Sequence, residues 1–264
     1  MLDLYHHGSS VCAAKVRMVL AEKELPWTGH YLDILTGEQF NPEYLKLNPK
    51  GVVPTLVDNG EVIRESTLIC EYLDEKFLNP SLKPDSPVGK VRMRYWTKFI
   101  DEYVHPMCAV LTFTASHRHT INRLGPKGVE EYLANTLNSD LERRKREWLT
   151  LGFEGPEVVK AVQTFDAMLE DIESALADNE WLAGPTFSLA DISVIPYVNR
   201  LEIFNMLSRW SPERTRALSW FERMKARPSF YPAMDEYLPE GLARDLRTNG
   251  EKSWPEVEAL LNTG

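Results

Sequence analysis

The chain has 264 residues, 43% hydrophobic and 26% charged, with 30 Lys+Arg against 39 Asp+Glu for a net charge of −9. This is the composition of a soluble chain of one large or two modest domains, neither disordered nor disulfide-rich, and its acidity argues against a nucleic-acid partner. No apolar run approaches the roughly 18 residues of a membrane span, the start Met1-Leu-Asp-Leu-Tyr5 does not read as a signal peptide, and Cys12, Cys70 and Cys108 are too scattered for a disulfide framework or a CxxC zinc site, so a cytoplasmic protein without metal is expected.

Along the chain, Leu2–Tyr5 alternates as a short strand should, and His6-His7-Gly8-Ser9-Ser10 breaks it. From Ala13 to Lys23, Val16, Val19 and Leu20 recur at helical spacing, and Trp27–Ile34 reads as a second strand. Pro54–Asp58 and Glu61–Arg64 flank Asn59-Gly60, the pair that suits a type I′ hairpin. Ser66–Phe77 then reads as a helix with Leu68, Ile69, Tyr72 and Leu73 on one face. The order β-α-β, β-β-α makes an α/β domain over residues 1–78, closed by a turn-rich linker at 79–87. Residues 88–264 are all-α by pattern. A long amphipathic helix at Val91–Phe113 should kink at Pro106, and further helices are expected at Gly128–Leu149, Pro156–Ala177, Leu189–Asn205, Pro212–Ala226 and Ser253–Leu261.

Three segments carry chemistry. Gly8–Cys12 joins strand to helix, and a helix N-terminus with its unpaired N–H groups and positive end favours an anion such as a thiolate. Ser9 or Ser10 there is equally suited to plain helix capping. In Asn48-Pro49-Lys50-Gly51-Val52-Val53-Pro54, a cis Val53–Pro54 bond would turn the Val53 backbone outward toward a peptide-like ligand; a trans proline opening a strand is the ordinary alternative. Glu65-Ser66-Thr67 begins a helix whose N–H groups and Ser66 hydroxyl could cradle a carboxylate, with Glu65 taking an ammonium. Capping alone accounts for these residues as well.

Together with Lys15-Val16-Arg17 and Phe187-Ser-Leu-Ala-Asp-Ile192, whose Ser188 and Asp191 form a capping box, these segments resemble the cytosolic glutathione transferases of serine type over roughly residues 2–235. The resemblance implies a thioredoxin-like N-terminal domain, an all-helical C-terminal domain, glutathione as co-substrate, and a homodimer built on the Ser66 helix and the long helix after the linker. It assigns Ser9 (or its neighbour Ser10) to the glutathione thiolate, Val53 and Pro54 to the peptide backbone, Glu65 and Ser66 to the γ-glutamyl end, and Lys50 to the glycyl end. Arg64–Leu73, Met93–Tyr103 and Arg143–Gly155 also resemble the bacterial β-etherase branch, which cleaves lignin-derived aryl ethers with glutathione. A small hydrophobic, aromatic electrophile is then expected, with epoxides or haloalkanes as alternative substrates and a non-catalytic interaction protein as the alternative role.

The electrophile pocket is expected beyond Pro106, at Met107, Val110, Leu111, Thr114 and His117. Cys12 stands three residues after Ser9, where a thiol-disulfide reductase would carry its second sulfur; a buried helix cysteine is the simpler account. Asp101 and Glu102 could reach a partner's glutathione or make surface pairs. The run Arg143-Arg144-Lys145-Arg146 reads as a solvated basic face, and His6, His7, His117 and His119 show no metal-ligand spacing.

Overall fold

The computed structural model describes residues 1–262. Four strands, β1 (Leu2–His6), β2 (Trp27–Tyr31), β3 (Thr55–Asp58) and β4 (Glu61–Arg64), form one mixed sheet in the order β2-β1-β3-β4. β1 runs parallel to β2, with Leu4 opposite Gly29, and antiparallel to β3, with Leu4 opposite Leu56. The β3–β4 hairpin turns at Asn59 (φ 51°) and Gly60 (φ 93°), the two positive φ values a type I′ turn demands.

Helix α1 (Val11–Glu22) crosses between β1 and β2 and is buried from Ala13 to Leu20, the charged Lys15 and Arg17 included. Burial of two cations on one helix requires partners, and both have them. Lys15 Nζ bonds Asp101 Oδ1 at 2.9 Å and Thr67 Oγ1 at 3.2 Å, while Arg17 donates to the carbonyls of Ala233, His7 and Gly8. A 3₁₀ turn (Glu38–Phe40) and α2 (Pro42–Leu47) follow β2. Neither was expected from the sequence, being too short for a helical period to show. Helix α3 (Ser66–Lys76) closes this part of the chain. The polar segment after it is tied down on both sides: Asp74 accepts from the Leu82 N–H at 2.8 Å and pairs with Lys23, and the Leu82 carbonyl accepts from Leu189.

The expected helix with a proline kink is one longer rod with two π turns. It runs through α4 (Pro87–Phe99), a π turn at Ile100–Val104, α5 (His105–Thr112), a second π turn at Phe113–His117, and α6 (Arg118–Asn122). Pro106 lacks an N–H and lies just after the first widened turn, which accommodates it without a break. The expected helix at 128–149 divides into α7 (Gly125–Ala134) and α8 (Ser139–Leu151), the latter capped by the Asn138 side chain on the Leu141 N–H.

Helices α9 (Val158–Ala175), α10 (Leu189–Ile203), α11 (Leu207–Trp210), α12 (Thr215–Lys225), α13 (Phe230–Met234) and α14 (Glu240–Leu261) complete the helical part. The last begins thirteen residues before its expected start, because Gly250 and Pro255 dilute its pattern. Gly250 is there for contact: a Cβ would lie 2.6 Å from the Cβ of Phe204. The capping box at α10 is complete. Asp191 is wholly buried and accepts from the backbone of Leu182 (3.1 Å) and Ser188 (3.0 Å) and from Trp220 Nε1 (3.0 Å), joining three elements at one carboxylate.

Candidate active site

The strand-to-helix turn after β1 is fixed by the two buried arginines. Arg17 holds the carbonyls of His7 and Gly8, and Arg200 of α10 donates to that of Ser9. Gly8 must be glycine, since a Cβ would overlap the Tyr237 carbonyl oxygen at 2.0 Å. With its carbonyls engaged behind it, the turn presents the start of α1 to the cleft.

The two serines divide their work. Ser10 is the N-cap, its hydroxyl accepting from the Ala13 N–H at 3.1 Å. Ser9 is not used as a cap, and both its N–H (3.2 Å) and its hydroxyl (3.3 Å) meet His7 Nδ1. Burial lowers the His7 pKa to about 4 despite Asp33 nearby, so the ring is neutral at physiological pH. The backbone N–H fixes Nδ1 as the acceptor, which leaves the ring proton on Nε2. His7 is thus an orienting partner of Ser9, and a lone histidine after a strand gave no sign of it.

The Val53–Pro54 bond is cis, and its loop is pinned from behind. Tyr44 Oη donates to the Val52 carbonyl at 2.6 Å, Asn48 Nδ2 reaches the same oxygen at 2.9 Å, and both engage Thr55. Gly51 takes φ 60°, and a Cβ there would press on the Phe40 ring at 2.9 Å, so a larger residue is excluded at this point. Lys50 Nζ pairs with Glu65 Oε1 at 2.6 Å, both side chains largely exposed. Glu65 stands at the N-cap of α3 with φ 65°, unusual for a residue with a Cβ, and its side chain does not cap. Ser66 is buried at the first turn of α3.

Cys12 faces the same space. Its Sγ is 3.5 Å from His105 Nδ1 and 3.9 Å from Tyr197 Oη. Burial alone would raise the thiol, but His105, Lys15 and the Ser66 hydroxyl outweigh it and hold the pKa at about 6, while Cys12 in turn raises that of His105. At Cys70 burial outweighs Lys15, and at Cys108 it outweighs Arg200 and Thr112, so both thiols are pushed up. The sequence showed Cys12 in place but not His105, which is 93 residues distant.

A cleft of about 380 Å³ has Ser9, Ser10, Cys12, Lys50 and Val53 on one side and α5, α7, α8 and Arg200 on the other; Pro54, Glu65 and Ser66 do not line it. Of the five residues expected to line its electrophile end, only His117 does so. Met107, Val110, Leu111 and Thr114 are core residues, and His105, Ala109, Thr112 and Phe113 take their places. Met107, Val110 and Leu111 are the apolar face of α5 and go to the core, which leaves the neighbouring face of His105, Ala109 and Thr112 to the cleft. Asp101 is engaged by Lys15 of its own chain, and Glu102 by Lys98 in an i,i+4 pair at 2.6 Å. The described residues contain no cluster of three or more His, Cys, Asp or Glu suited to a metal, and no described helix is long and apolar enough to cross a membrane.

A mixed sheet of this order, with a cis-proline loop, a serine at the first helix and an all-helical partner domain, defines the glutathione-using branch of the thioredoxin-like folds. The chain belongs to the glutathione S-transferase family: residues 9–76 match its N-terminal domain and residues 128–223 its C-terminal domain. Among its relatives, Protein LigF of Sphingobium sp. (strain NBRC 103272 / SYK-6) is 28% identical over 258 residues, 95% of this chain and 98% of the relative. A glutathione S-transferase of Hypomyces subiculosus is 30% identical over 87% of this chain and 97% of its own length. The tetrachloro-p-hydroquinone reductive dehalogenase of Sphingobium chlorophenolicum is 27% identical over 88% and 95%. Among solved structures, the β-etherase LigF of Sphingobium sp. strain SYK-6 superposes with a TM-score of 0.80 at 26% identity, covering 89% of this chain and 99% of that one. The protein is a glutathione transferase with an enzyme's fold and cleft.

Proposed function

We propose that this transferase cleaves β-aryl ethers of lignin-derived aromatics: the sulfur of glutathione thiolate attacks the ether-bearing carbon, the C–O bond breaks, and the electron pair leaves with the aryl oxygen, which takes up a proton. The reading is carried by the likeness to the β-etherase LigF along nearly the whole of both chains, and it is supported by a cleft walled by Phe40, Phe113, Tyr132 and Trp148. In it, residues 1–78 bind glutathione, 79–87 link, and 88–264 hold the electrophile. Ser9 turns its hydroxyl proton from His7 Nδ1 to the thiolate at the positive end of α1. Val53 and Pro54 meet the peptide backbone, Glu65 and Ser66 the γ-glutamyl end, and Lys50 the glycyl end. Incubation with glutathione and a panel of β-aryl ethers, epoxides and haloalkanes, read by mass spectrometry, should give thioether adducts and free phenol from the ethers. Adducts from epoxides or haloalkanes alone would transfer the protein to those substrates. Retention on immobilised glutathione without any turnover would make it a binding protein.

The geometry of Cys12 favours a second reading, thiol-disulfide exchange. With His105 at 3.5 Å and a pKa near 6, its thiolate predominates at neutral pH. Attack on a glutathione mixed disulfide, R–S–S–G, would form Cys12–S–S–G and expel the thiolate RS⁻. A second glutathione thiolate would then free Cys12 as oxidised glutathione leaves.

The assembly proposed is a homodimer in the cytoplasm. Leu68 on α3 and Val88, Val91 and Tyr95 on α4 are each more than half exposed, and the last three are spaced to share one helix face. Light scattering at micromolar concentration should give twice the 30.3 kDa chain mass. A Tyr95→Glu change should shift the population toward monomer; a monomeric unsubstituted protein would dispose of the proposal.

A further inference from the structure

The basic run on α8 is not a uniform solvated face. Arg143 pairs with Asp140 and Glu147, Arg144 with Glu157, and Arg146 with Glu130 and Glu142. Lys145, between them, turns inward and is only 9% exposed. Its ammonium makes no ion pair among the described residues. It donates to Thr136 Oγ1 at 3.2 Å and stands 5.0 Å from the centre of the Tyr132 ring and 5.9 Å from that of Phe113. Burial without a counterion lowers its pKa to about 8. A cation so placed is costly unless something else supplies the opposite charge.

Its surroundings point to the same deficit. Lys145 lines the cleft together with His117 and Arg200, and no Asp or Glu among the described residues lines it, in a chain whose acidic residues outnumber basic ones by 39 to 30. His117 is buried with Nδ1 unbonded, and the Nε and Nη1 groups of buried Arg200 also find no partner among the described residues. Of the five basic side chains lining this aromatic-walled space, Lys50 has Glu65 and His105 has Cys12, whereas Lys145, His117 and Arg200 have no carboxylate partner among the described residues.

We propose that Lys145 is the counterion for an acidic oxygen, carboxylate or phenolate, on the aromatic co-substrate, so that this cleft selects aromatic acids over their neutral analogues. The inference rests on the family's glutathione-dependent use of the cleft and names the substrate class. It does not require ether cleavage. An ammonium between Tyr132 and Phe113, already desolvated, receives such an anion with little further loss of hydration, and the ring faces accept the aromatic body.

The test is calorimetric. Naphthoate and its isosteric neutral amide are titrated into the full-length protein loaded with glutathione. The carboxylate should bind about ten-fold tighter or more, the scale of a charge-assisted hydrogen bond. That preference should vanish in Lys145→Met and persist in large part in Lys145→Arg. A nitrophenolate and its methyl ether, titrated in parallel, show which acidic oxygen the site prefers. Equal binding within both pairs by the unsubstituted protein, naphthoate with its amide and nitrophenolate with its ether, overturns the proposal whatever the variants do, as does failure of all four to bind. A preference that survives Lys145→Met also overturns it. Since no bond is broken in this experiment, a protein that binds aromatic acids but cleaves no ether refutes the etherase reading alone.

Discussion

Replacing Ser9 by alanine is expected to lower turnover near neutral pH about ten-fold or more, because loss of one hydroxyl donor should raise the bound thiol's pKa by about one unit, roughly 1.4 kcal/mol. The sign is fixed by the chemistry: the thiolate is the reactive form, so a higher pKa moves the acid limb of the pH–rate profile upward, and the loss shrinks as pH rises. Glutathione affinity should change far less, since the Val53 backbone, Glu65 and Ser66 are untouched. Some activity should remain, because the N–H groups at the start of α1 still favour an anion. Ser10→Ala is the control, and its hydrogen bond to the Ala13 N–H says what it should do. It should cost about 1 kcal/mol of stability as a lost cap and leave the profile where it was. If Ser9→Ala leaves the profile unmoved and Cys12→Ala abolishes turnover, Cys12 and His105 carry the chemistry and thiol-disulfide exchange replaces thioether formation.

The largest effect on stability is expected at Asp191. Alanine there leaves the N–H groups of Leu182, Ser188 and Trp220 without their acceptor inside the core. At about 1–3 kcal/mol for each unsatisfied buried donor, the loss should be about 3 kcal/mol or more. That is a large part of the roughly 5–15 kcal/mol typical of a folded protein. Asparagine should do less harm, because Oδ1 can still serve Leu182 and Trp220 while only the Ser188 side of the capping box is lost. Burial raises the Asp191 pKa to about 6, against the downward pull of those hydrogen bonds. The native protein therefore holds this proton more tightly than the unfolded chain, and the group's contribution to stability falls as pH rises from about 4 to 6. Urea denaturation across that range should show the slope reduced in Asp191→Asn. Equal urea midpoints for the unsubstituted protein and Asp191→Ala would contradict the account.

What the sequence made legible was local. Asn59-Gly60 specifies its hairpin by two φ values, Ser188 and Asp191 specify a helix start three residues apart, and both features are as expected. The resemblance implied a thioredoxin-like domain, while the pairing of β1 with β2 and β3, which periodicity does not determine, is seen in the structure. The cleft's far wall was illegible because α5 is apolar on more than one face, and the sequence does not say which face the core takes. Met107, Val110 and Leu111 became core, and the face with His105, Ala109 and Thr112 was left to the cleft. Lys145 was hidden for another reason: by charge it matches its arginine neighbours, and only tertiary packing separates an inward cation from three outward ones. His105 and His7 were hidden by distance and by commonness respectively.

The first π turn has a consequence for where this chain can change length. A widened turn is a helix with one residue to spare, and each residue of an α-helix advances the chain by about 100°. A single-residue deletion within Ile100–Val104 would return the turn to a regular spiral and leave His105, Ala109 and Thr112 facing the cleft, because the widened turn already absorbs the extra residue. The same deletion inside α5 would instead rotate every residue beyond it by about 100°, so of these two segments only the π turn can lose a residue without turning this wall of the cleft.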